Sequence, residues 1–130
     1  EKLAVTLGRC LLGLYFLRPV ISKVTSYQAM LDYMNLHNIP MADVLLPITT
    51  ALQILGGLCL IAGFRIKEMA LMFAGMTLLI NLGMHDFWNI YPETDQGHEV
   101  QNFVKNLGIF AGLLVMSAAQ HLPQWRLAKA

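Results

Sequence analysis

Charge is scarce in this chain. Asp, Glu, Lys and Arg make up 13% of its 130 residues, against about 25% in a soluble domain. There is no basic run and no interleaving of aromatic with basic residues, and the net charge is only +1. Nucleic acid is therefore not an expected partner. Cysteine is also scarce. Cys10 and Cys59 sit singly in apolar stretches, with no CxxC or metal-type spacing, so both are expected to be small buried side chains. No HExxH or HxxxH pattern occurs, and no serine or cysteine has the setting of a hydrolytic nucleophile. Motifs for haem, flavin, nicotinamide and iron–sulfur binding are missing too, and no metal site is expected. No small-residue cleavage site follows the first apolar segment, so that segment is expected to stay in place rather than leave as a signal peptide. No internal repeat is evident, which argues against an alternating-access carrier.

What the chain has in quantity is hydrocarbon. Hydrophobic residues account for 56% of it, more than a core of this size can hide, so the excess must face another apolar medium. A membrane-spanning helix needs about 20 mostly apolar residues. Four segments qualify, over about 3–24, 44–64, 68–88 and 102–122. The first carries Arg9, Arg18 and Lys23, and its arginines must snorkel or face the bundle. Between the first two spans, Tyr27, Met30, Leu31 and Met34 recur at helical spacing after Ser26, an expected N-cap. That pattern predicts a short interfacial helix ended by Pro40. Asp43 is the expected cap of the second span. "YPETDQGHE" is expected to be a polar turn, and the short "RIKE" link makes spans two and three antiparallel neighbours. The fold class expected is all-α: one four-helix transmembrane bundle, residues 1–130 forming a single domain.

Basic residues set the orientation. With both termini inside, Lys2, Arg9, Arg65, Lys67, Arg126 and Lys129 lie on the cytoplasmic side, and Arg18, Lys23 and Lys105 outside. The excess favours this topology. "HDFW", His85 to Trp88, then emerges on the outer face.

Polar side chains inside spans should turn away from lipid. Thr49, Gln53 and Gly56 fall on one stripe, as do Thr77, Asn81 and His85, with Trp88 nearby. Tyr15, Arg18 and Ser22 share a face of the first span, and Asn102, Lys105 and Asn106 share one entering the fourth. All four helices are therefore expected to point polar groups at a common outer region. The mundane reading is interhelical hydrogen bonding. The sharper one is a ligand site built from Arg18, Gln53, Asn81, His85, Trp88 and Lys105. There His85 and Asp86 are the catalytic candidates, since a quinone carbonyl needs a hydrogen-bond donor and a proton source. Asp86 is also the natural counter-ion for Arg18 or Lys105. Gly108 and Gly112 form a GxxxG, and Gly56–Gly57 a second small-residue pair; both allow close helix contact.

Taken together, these pieces resemble the DoxX family of small four-helix bacterial and archaeal membrane proteins. Arg9 in "LGRCLLGLYFL", Lys23 in "ISKV", "LGGLCLIAGFR", "HDFW" and "NFVKNLGIFAGLL" occur in the family's order over nearly the whole chain. Two departures stand out. "LRPVISK" holds Arg18, Pro19 and Val20 where the family usually has a glycine shortly before the lysine. Gln53 stands where a glutamate is common. The resemblance implies a cytoplasmic (inner) membrane location and a subunit of, or partner to, a quinone-linked membrane redox system, with quinone as the implied cofactor. Its partners would be the bilayer and other oxidoreductase subunits or further copies of the chain. The alternative is a non-catalytic accessory subunit that stabilises a larger membrane complex.

Overall fold

Four helices long and apolar enough to cross a membrane dominate the chain. They are seen in a computed structural model that describes residues 1–84, 88 and 95–127. In order the helices are α1 (Lys2–Thr25), α2 (Tyr27–Leu36), α3 (Ala42–Ala62), α4 (Ile66–Met84) and α5 (Gln96–Ala119), and no strand occurs among the described residues. At about 1.5 Å per residue the four long helices measure roughly 28–36 Å, matching a hydrocarbon core of about 30 Å. Leu7, Leu11, Leu14 and Ile21 on α1, Leu55 and Leu58 on α3, Leu79 on α4 and Val115 on α5 are all exposed. Such a belt suits lipid rather than water.

The short helix falls where the periodicity placed it, after Ser26, although the Ser26 side chain makes no capping bond. Four boundaries differ from expectation. The short helix ends at Leu36, with His37 as its C-cap, before Pro40 is reached. Met41, in a left-handed conformation, is the N-cap of α3, and Asp43 lies in the first turn instead. There its charge complements the helix dipole without capping it. The helix α5 starts six residues early because the Asp95 carboxylate caps it, accepting from Gly97 N at 3.0 Å and His98 N at 3.3 Å. The same helix stops at Ala119, and residues 120–127 leave it as a strap.

Packing runs in a row: α1 on α3, α3 on α4, α4 on α5. The α1–α3 crossing is tight because Gly13 meets Gly57. A Cβ on Gly13 would lie 2.8 Å from Gly57 O, and one on Gly57 would lie 2.6 Å from Leu17 Cγ. Nothing comes within 4 Å of a Cβ on Gly108 or Gly112, so the GxxxG makes no close contact within the described residues. The α3–α4 link turns on Gly63, left-handed at φ 82°, whose N–H bonds Cys59 O at 2.8 Å.

Two apolar clusters result. One holds Phe16, Leu60, Ile66, Ala70, Phe73, Ala74, Met76 and Leu113, with Phe16 and Phe73 stacked at 4.0 Å. The other, under α2, holds Met34, Ala42 and Leu46, with Met84 packed against it. Cys10 and Cys59 are free thiols, half-buried rather than fully buried.

Candidate functional site

Between the two apolar clusters lies a polar layer. On α1 the buried residues are Arg9, Gly13, Phe16 and Lys23. Arg9, Phe16 and Lys23 are seven apart, about two turns each, so one face carries all three. That face packs on α3 and carries Lys23 to Gln53, whose side-chain oxygen accepts from Lys23 Nζ. A second bond runs from Nζ to Thr49 Oγ1 at 3.2 Å. Along the α3–α4 pair, Gly56 faces the Phe73 ring at one level, and Met84 meets the Leu46 cluster further out. The turns between hold Thr49 and Gln53 on α3, and Thr77 and Asn81 on α4. Asn81 Nδ2 donates to Phe103 O on α5 at 3.1 Å. The layer therefore involves all four long helices.

Its hydrogen bonding is incomplete. Lys23, Gln53, Thr77 and Asn81 are all buried, yet Thr77 Oγ1 and Asn81 Oδ1 have no partner among the described residues. No carboxylate pairs with Lys23 among them, because Gln53 is neutral and its oxygen only accepts. Buried polar groups normally find partners, and unpartnered ones point to water, ion or ligand chemistry. The set contains donors (Lys23 Nζ, Thr77 Oγ1) and an acceptor (Asn81 Oδ1), so it can serve a carbonyl or a hydroxyl.

The residues expected to form a ligand site are only partly brought together. Gln53 and Asn81 lie in the layer. Arg18 and Lys105 do not: both are exposed on the outside of the bundle. Arg18 sits about 140° around α1 from Lys23, five residues on, so the face that buries Lys23 must turn Tyr15, Arg18 and Ser22 outward. Trp88 is exposed and stands edge-on to Phe103 at 5.9 Å. His85 and Asp86 lie outside the described residues.

Three groups escaped sequence reasoning. The charge pattern counts Lys23 only as an outer cation, whereas the structure puts it in the layer; its seven-residue spacing from Phe16 and Arg9 is the signal in the sequence. Tyr33, His37 and Glu99 form a roof at the end of the bundle away from the strap, with Tyr33 Oη donating to Glu99 Oε1 at 3.4 Å and the Tyr33 and His37 rings 4.6 Å apart. At the opposite pole Arg9 is 2% exposed. It donates to Leu60 O at 2.7 Å, Ile61 O at 3.4 Å, Trp125 O at 2.7 Å and the Gln124 side chain. Trp125 N donates to Thr6 Oγ1 at 3.0 Å and Leu127 N to Ala62 O at 2.7 Å. The strap is thus tied across the ends of α1 and α3.

Comparison with known proteins agrees with this architecture. The DoxX family model matches residues 4–86. The chain is 30% identical to the inner membrane protein YqjF of Escherichia coli (strain K12) over 117 residues, 90% of this chain and 84% of that protein. No solved structure matches. Four apolar helices, a family match over more than half of the chain and an inner membrane relative lead to one conclusion: the chain belongs to the DoxX family of multi-pass membrane proteins.

Proposed function

We propose that the polar layer binds the head of a quinone, and that the chain is a membrane subunit of, or partner to, a quinone-linked redox system. The observation that carries this reading is the unfilled hydrogen bonding of Thr77 Oγ1 and Asn81 Oδ1 in the same layer as a buried ammonium that has no acid partner among the described residues. A quinone fits that set: its carbonyls accept from Lys23 and Thr77, and the hydroxyls of its reduced form donate to Asn81. When bound, it would supply two-electron redox chemistry. Lys23, Thr77 and Asn81 orient the head, and Gln53 holds the Lys23 ammonium in place. His85 and Asp86 are the candidates for proton exchange in this reading.

The test is titration of the purified protein with a short-tailed quinone. Saturable binding that is lost in Lys23→Met and weakened in His85→Ala supports the reading; full binding by Lys23→Met removes it. The same reading places both termini in the cytoplasm of a bacterium or archaeon. A reporter that matures only in the cytoplasm, fused at the C-terminus, checks the side; a silent fusion reverses it.

One observation favours the accessory reading. The bonds the layer does make, Lys23 Nζ to the Gln53 side chain and Asn81 Nδ2 to Phe103 O, each join one long helix to another. A layer that only locks helices would leave a chain whose exposed Leu and Val belt docks other oxidoreductase subunits or further copies. Co-purification with a redox complex at fixed stoichiometry, without quinone retention, would establish that alternative.

A further inference from the structure

The α3–α4 turn and the strap bring three cations around one concavity. Arg65, Lys67 and Arg126 line a recess of about 310 Å³, together with Ile66, Glu68 and Gln120. The strap builds it: Leu127 N bonds Ala62 O, and the Arg126 side chain fills the space over Gly63, where a Cβ would lie 2.8 Å from Arg126 Cγ. Arg126 Nη2 donates to Gln120 O at 2.6 Å, which fixes the guanidinium at the rim and leaves its remaining N–H groups unpartnered among the described residues.

Three cations against one carboxylate leave the recess positive. Glu68 lines it but forms no ion pair with any of the three among the described residues. The first backbone N–H groups of α4 open on the same side and add to the positive field. Like charges gathered this closely, at the end of a bundle of membrane length, are relieved most simply by an anion from outside. Gln120 also borders an apolar groove of about 220 Å³ between α1 and α5, lined by Ala4, Gly8, Leu12, Gly112 and Val115. A cationic recess and an apolar groove that share a wall residue match the two parts of a phospholipid.

We propose that the recess bounded by Arg65, Lys67 and Arg126 binds a phosphate-type anion, carried as the headgroup of an anionic phospholipid. This site is separate from the polar layer and stands whether or not a quinone binds there. Arginine suits the role because its planar fork matches phosphate oxygens in pairs.

The test uses the full chain in a non-ionic detergent, titrated with phosphatidylglycerol and with phosphatidylcholine and read as bound lipid by native mass spectrometry. Saturable binding of phosphatidylglycerol, at least about tenfold tighter than phosphatidylcholine, is expected. Arg65→Gln with Lys67→Gln should weaken it on the order of tenfold or more, from several-fold per cation removed. Both side chains are exposed and make no hydrogen bond with the described residues, so the fold should survive. Lys2→Gln, which removes a cation stacked on Trp125 at the same pole, should change affinity by less than about twofold. Binding of inorganic phosphate at millimolar concentration with no binding of phosphatidylglycerol would keep the anion site and overturn the lipid as its source. Equal binding of the two lipids, no loss in the double variant, or an equal loss in Lys2→Gln would overturn the proposal.

Discussion

Lys23 decides how the interior can be used. Among the described residues the Lys23 ammonium is held by bonds to neutral oxygens; replacing it leaves the buried Gln53 oxygen without a donor, a loss that averages only about 0.6 kcal/mol per interhelical bond in a membrane bundle. Lys23→Met is therefore expected to melt within about 1 kcal/mol of the parent, while quinone affinity falls at least tenfold; thermal melts in detergent beside a binding titration check both. Gln53→Glu should do the reverse. It supplies the carboxylate common in the family, pairs Lys23 internally and withdraws the ammonium from a ligand, so melting should not fall but affinity should. Gln53 and Asn81 could be placed from sequence because each continues a polar stripe at helical spacing. Arg18 and Lys105 could not be placed the same way. A stripe says which residues share a face, not which face meets a neighbour, and on α1 the Gly13–Gly57 crossing settles that choice.

Among the elements, the α1–α3 crossing is the least tolerant. Gly13→Ala would set a Cβ against the Gly57 carbonyl, backbone that cannot move aside, and a loss of about 1–3 kcal/mol is expected. Gly108→Ala, with open space around it, should be silent in the same melts. Asp95 caps α5 through two backbone N–H groups, so Asp95→Ala should cost about 1 kcal/mol and speed hydrogen exchange at Gly97 and His98. The four long helices were legible because uncharged apolar runs of spanning length admit few other structures. The start of α5 was not, since "TDQGHE" reads equally as a polar turn until the Asp95 cap is seen. The short helix α2 was found from its apolar spacing, while its packing over Leu46 and Met84 depends on how α3 and α4 pair.

For the whole molecule, closure depends on the strap. Arg9 joins α1 to the end of α3 and to residues 124–125 through carbonyl and amide oxygens, and such contacts leave no pattern in sequence. Arg9→Met should release the strap, with a stability loss of about 3 kcal/mol or more and rapid proteolysis near Trp125, whereas Arg18→Met, on the outer face, should change neither. The interior is arranged in three tiers, apolar at either end and polar between, and the proposed function requires that the polar tier take a quinone head. The most direct measurement is photolabelling of the purified protein with an azido-quinone, followed by peptide mass spectrometry. The account predicts adducts on residues 49–53 and 77–81, suppressed by unlabelled quinone. Adducts confined to the lipid-facing stripe of Tyr15, Arg18 and Ser22, or insensitive to competitor, would contradict it.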